Sequence, residues 1–163
     1  MLTSNTYHDT LIIHLRGGDA LEESEQTRWR PSPLPYNFYR DIIEQCTLKK
    51  LMIVTTPPKN GIMHPLINQF KRDYIVDIQH GEIIEDLSIL INCTHLVFDF
   101  STFRYTAALL NTNLKKVFIS KFVERQKGIP LLNDINSDIG FTMPKIANCE
   151  TYVYDYPEFV VKK

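Results

Sequence analysis

Apolar residues recur along this chain in two rhythms. Short runs rich in β-branched residues alternate with stretches whose apolar positions lie three and four apart. The first is the pattern of buried strands and the second that of amphipathic helices. Thr10 to Leu15 is the first run, stopped by Gly17-Gly18. Residues 16–35 read as a long polar loop containing three prolines. Pro35 suits the first position of a helix, which Phe38, Tyr39, Ile42, Ile43 and Cys46 carry through 36–46. Leu51 to Thr55 reads as a second strand, ended by Pro57-Pro58. Met63, Leu66, Ile67 and Phe70 predict a second helix, and Tyr74 to Ile78 a third strand. Ile83, Ile84, Leu87, Leu90 and Ile91 form the clearest helical stripe, followed by a strand at Leu96-Val97-Phe98. A fourth helix spans Thr102 to Asn111 with Phe103, Ala107 and Leu110 inward, and Val117-Phe118-Ile119 is a fifth strand.

Strands and helices in strict alternation with short connections predict a parallel sheet with helices on both faces. The expected fold is a Rossmann-like three-layer α/β/α domain with about five strands. One domain covers 1–163, with its core at about 10–120. Residues 121–163 are a closing segment whose Tyr152, Tyr154, Tyr156, Phe159 and Val160 pack back on the sheet. A length of 163 residues suits one well-packed domain.

Charge and cysteine content narrow the function classes. The net charge of −1 gives no basic footprint for nucleic acid. Cys46, Cys93 and Cys149 are far apart and odd in number, which fits small buried residues rather than a zinc site or a disulfide framework. No apolar run approaches the ~20 residues of a membrane helix, and the polar N-terminus lacks the apolar stretch of a signal peptide. A cytoplasmic location is the resulting expectation. Asn92-Cys93-Thr94 matches a glycosylation sequon beside a buried strand and reads as coincidence.

In open parallel sheets, ligands bind outside the carboxyl ends of the strands. Here those ends carry Arg16-Gly17-Gly18-Asp19, Thr55 to Gly61, Gln79-His80-Gly81-Glu82, Asp99-Phe100-Ser101-Thr102 and Ser120-Lys121. Arg16 offers a planar fork for phosphate oxygens, and Gly17 and Gly18 allow close backbone approach. Ser101-Thr102 start a helix, whose free amides suit a phosphate. Each has a plainer alternative: a glycine turn at 17–18 and a helix cap at 101–102. His14, inside an apolar strand one residue from the rim, is either a satisfied core histidine or a site residue. Asp19 orients His14 or Arg16, or caps the turn. No Asp-x-Asp pair stands at a strand end, so no metal clamp on a diphosphate is indicated. No G-x-S-x-G elbow, Walker loop or G-x-G-x-x-G fingerprint occurs.

Several of these segments together resemble a family. His14-Leu15-Arg16-Gly17-Gly18-Asp19 is similar to the His-x-Arg-x-Gly-Asp signature of fucosyltransferase-type glycosyltransferases of the GT-B class. Pro35-x-x-Phe38-Tyr39-x-x-Ile42-Ile43 resembles the helix that follows it there. Glu85-Asp86-Leu87-x-x-Leu90-x-x-Cys93-x-x-Leu96-Val97 resembles their acidic helix and next strand. Phe100-Ser101-Thr102-Phe103 resembles their phosphate turn, with Ala107-Ala108-Leu109 behind it. The resemblance covers about 10–120 in motif order.

The resemblance implies a nucleotide-sugar donor, GDP-fucose or a similar one, transferred to a glycan or protein acceptor with neither metal nor other cofactor. Arg16 would grip the β-phosphate, Ser101, Thr102 and Phe103 would hold the phosphates, and Asp86 would accept hydrogen bonds from the base. His14 would sit beside the diphosphate or sugar, and Asp19 or Glu22 would serve as base. Departures from the family pattern are Gly17, where a second arginine is common, and Arg104-Tyr105 in place of a tryptophan pair. Arg104 would then supply the missing positive charge. The chain matches the C-terminal-type half of a two-domain enzyme, so a second domain or chain would bring the acceptor side. A nucleotide-sugar-binding module without catalysis, and an unrelated α/β domain, remain the alternatives.

Overall fold

The computed structural model describes residues 7–15, 34–48, 50–56, 65–98, 102–120 and 150–154. Four helices and six strands alternate along it. They are β1 (Tyr7–Leu15), α1 (Tyr36–Gln45), β2 (Lys50–Thr55), α2 (Pro65–Asp73), β3 (Val76–Gln79), α3 (Ile83–Asn92), β4 (Cys93–Phe98), α4 (Thr102–Leu110), β5 (Lys116–Ser120) and β6 (Glu150–Tyr154). The strands form one sheet in the order β3-β2-β1-β4-β5-β6, and every pairing is parallel. This is the strand order of a doubly wound, Rossmann-like sheet.

Strand alternation divides the core in two. Leu11, Ile13 and Leu15 point to one face and meet Phe38, Tyr39 and Ile42 of α1 and Leu66, Ile67 and Phe70 of α2. Ile12 and Val54 point to the other and meet Ile89 and Leu90 of α3 and Tyr105, Ala107 and Ala108 of α4. β1 is paired on both edges and covered on both faces, which explains its run of consecutive apolar residues.

The structure corrects several expectations. The sheet gains a sixth strand, β6, from within the 121–163 segment. Pro35 is the N-cap of α1 rather than its first helical residue, with φ −61° and ψ 150°. β3 starts at Val76 rather than Tyr74. The Tyr74 amide still donates to the Phe70 carbonyl and so continues the end of α2, while Ile75 is 96 % exposed. β4 begins at Cys93, three residues before the expected strand.

The larger corrections concern α3 and α4. Ile83 and Ile84, expected inward, are 64 % and 62 % exposed, and Leu110 is 60 % exposed. The buried stripe of α3 is Asp86, Ile89 and Leu90, and that of α4 runs through Arg104, Ala107, Ala108 and on to Asn111. Hydrophobicity alone misplaces both faces because each true stripe contains polar residues, Asp86 in α3 and Arg104 and Asn111 in α4. Asn111 shows this: its side-chain amide donates to the Leu90 and Cys93 carbonyls at 2.8 and 2.7 Å, tying the end of α4 to the α3–β4 junction.

Candidate functional site

The chain turns left from β1 to β2 and β3, and right from β4 to β5 and β6. Between the carboxyl ends of β1 and β4 the two windings part, and an open crevice forms there in sheets of this order. β1 delivers His14 to that place as its second-last residue, in register with Val54 of β2. By alternation from Ile12, the His14 side chain faces α3 and α4. Three residues separate the end of β4 from α4, so the first turn of α4 stands at the same edge.

There α4 contributes Phe103 and Arg104. Arg104 is fully buried, and His14 is 7 % exposed. The Arg104 Nε–H donates a hydrogen bond to His14 Nδ1. The Phe103 ring lies 5.7 Å from the imidazole, tilted by 46°, so the His14 ring is held by a bond on one side and an aromatic contact on another. Tyr39 of α1 is the buried neighbour from the opposite face. Burial pushes its phenol up to about 12, and the Arg104 charge pulls the other way. A buried cation, an imidazole and the Phe103 ring therefore meet where β1 ends, with the Arg104 charge felt by Tyr39.

Asp86 is the second notable group. It lies in the first turn of α3, where Glu85 and Asp86 suit the positive end of the helix. The Glu85 carboxylate accepts a bond from the Glu82 amide at 3.3 Å and from the Gln79 side chain at 3.4 Å, which seats the β3–α3 loop on the helix. Gly81 is in that loop, and a Cβ there would come 2.6 Å from Glu85 Oε2. The Gly81 amide favours the ionised form of the Asp86 carboxyl. Asp86 is 6 % exposed, and its Oδ1 is buried without a hydrogen-bond partner. Burial pushes the carboxyl up to about 6, against the pull of the Gly81 amide and helped by the Glu85 charge. A buried acceptor left open in this way has unused capacity for a donor.

The structure thus brings His14, Phe103 and Arg104 together, while Asp86 makes its contacts within its own loop and helix. Thr102 is the first residue of α4. Arg16, Gly17, Gly18, Asp19, Glu22 and Ser101 lie outside the described residues. The sequence placed Tyr39 in the α1 stripe and Gly81 at a strand end without giving either an individual role. Tyr39 has the spacing of an ordinary core residue, and the role of Gly81 depends on a loop closing onto Glu85. Cys93 is buried, with burial pushing its thiol up to about 12, and Cys46 is partly buried. Both suit packing rather than reactivity. Among the described residues no cluster of His, Cys, Asp and Glu is arranged to hold a metal ion, and no helix is long and apolar enough to cross a membrane. Compared with protein-family models, with curated proteins and with solved structures, the chain finds no match.

Proposed function

We propose that this chain is the nucleotide-sugar-binding half of a fucosyltransferase-like glycosyltransferase, with GDP-fucose or a similar sugar as donor. The observation that carries this reading is the position of His14 and Arg104 at the switch point of the sheet. The His14 and Phe103 positions of the two motifs, some ninety residues apart in sequence, meet there in ring contact. Asp86 supports it, because a buried carboxylate oxygen without a partner suits the N–H edge of a nucleobase.

In this reading Arg16 and the amides at the start of α4 bind the diphosphate. The acceptor hydroxyl attacks the anomeric carbon, the bond from that carbon to the diphosphate oxygen breaks, and the oxygen leaves with the electron pair. Arg16 and the helix terminus stabilise the charge that builds there. A carboxylate, Asp19 or Glu22, takes the hydroxyl proton, and the acceptor side comes from a second domain or chain.

A thermal-shift series with GDP, GDP-fucose, UDP, ADP and NAD tests the reading. Saturation at ~100 times the dissociation constant adds about 2.7 kcal/mol of stability. The expected result is a shift with GDP or GDP-fucose that disappears in Arg16→Ala. A chain that no nucleotide stabilises is not a nucleotide-sugar enzyme. The alternative reading is a nucleotide-sugar-binding module without catalysis. Nucleotide binding without GDP release from GDP-fucose in the presence of sugar acceptors would select it.

A further inference from the structure

Tyr39 carries a hydroxyl that the packing of the chain leaves unused. The residue is 1 % exposed, and its Oη is buried without a hydrogen-bond partner. The groups that bear on that oxygen are the Arg104 charge and the Leu34 amide, and both favour negative charge on it. A guanidinium and an amide N–H only donate, so neither takes the phenol proton. We infer that Tyr39 is a ligand-binding residue at the edge where β1 ends, and that its Oη–H donates to an anionic oxygen of the kind a phosphate carries.

Packing alone does not account for this hydroxyl. A buried polar group without a partner costs free energy that a phenylalanine of the same shape would spare. The ring itself is well held, in edge contacts with Phe38 at 5.2 Å and Phe70 at 5.6 Å, so the hydroxyl has a fixed place. That place is near the site. Tyr39 is in the first turn of α1, the helix that follows β1. Helical side chains lean back toward the N-terminus of their helix, and the Leu34 amide that acts on Oη lies just before α1. Tyr39 belongs to the core on one face of the sheet, and α4 packs on the other. Tyr39 and Arg104 thus reach the site from opposite sides. The arginine charge favours an anion over a neutral acceptor. Burial pushes the phenol up to about 12, so at neutral pH Tyr39 keeps the proton that it donates. Oη is closed to solvent, so a ligand oxygen reaches it with a local opening of this edge. That the anion is the diphosphate of a nucleotide sugar rests on the proposed function, whereas the donor role of Tyr39 toward an anion does not.

Tyr39→Phe removes the hydroxyl and nothing else, and the whole chain is tested in both forms by thermal melts and by calorimetry with GDP and with inorganic pyrophosphate at pH 7. Without ligand, the variant should melt at the same temperature as the unaltered chain or higher, because no bond is lost. Its affinity for GDP and for pyrophosphate should fall about tenfold, the loss of one hydrogen bond to a charged oxygen. A variant that melts lower shows that the hydroxyl serves the fold, and overturns the inference. A variant that binds both probes as tightly as the unaltered chain also overturns it, and leaves the proposed function standing. Pyrophosphate binding that weakens with loss of the hydroxyl, in a chain that does not bind GDP, supports the role of Tyr39 and overturns the proposed function. An unaltered chain that binds neither probe overturns both.

Discussion

Asp86 illustrates how a single residue links stability to binding. Its carboxyl is buried, the Gly81 amide favours its charge, and Oδ1 has no hydrogen-bond partner. The ionised form is therefore more costly in the folded chain than in the unfolded one, and the folded value rises from 3.8 to about 6. A raised carboxyl stabilises the fold below its unfolded value, and that contribution is lost as pH rises through the folded value. Between about pH 4 and pH 6, the free protein should lose stability of about 1–2 kcal/mol from this group, after discounting for partial solvent screening. Denaturant melts across that range should show the loss, and Asp86→Asn should flatten it. A ligand N–H on Oδ1 favours the ionised form, so GDP affinity should rise as pH increases through about 6. Calorimetry at pH 5 and pH 7 distinguishes this outcome from pH-independent binding.

At the scale of elements, two inward positions of α4 are small. Ala107 and Ala108 are 0 % and 1 % exposed and pack with Ile12, Leu96 and Val117 of three neighbouring strands. Ala107→Leu should overpack the contact and lift the helix, at a cost of about 1–3 kcal/mol. Chemical denaturation would measure the cost. The face of α4 was only partly legible beforehand. The apolar pattern marked Ala107 correctly but chose Leu110, which is exposed, and passed over Arg104 and Asn111. Arg104 and Asn111 enter this buried stripe where partners meet them, and those partners, His14 and the Leu90 and Cys93 carbonyls, come from other elements. The exposed isoleucines of α3 reflect the same limit, since a continuous apolar run does not reveal which side the sheet will take.

In the whole molecule, β1 is the centre. It pairs with β2 and β4, and its side chains divide between both hydrophobic cores. The amides of Ile12 to His14 should be among the slowest to exchange with solvent, opening only on global unfolding, while those of the edge strand β3 exchange sooner. Hydrogen-exchange mass spectrometry checks this order. A slow β3 with a fast β1 would contradict the sheet order.

The amino-acid sequence by itself determined the alternation of strands and helices, and with it the parallel, doubly wound sheet. Local periodicity and the short connections leave few other ways to bury these faces. It also marked His14, Asp86, Phe103 and Arg104 as residues of interest, through motif order. Only the tertiary structure decided what they do to one another. The bond from Arg104 to His14 closes over a separation of ninety residues. Asp86 is buried with its Oδ1 open, and the Gly81 amide beside it comes from the loop before α3. Both are properties of the environment around a side chain, and that environment is created when distant segments pack.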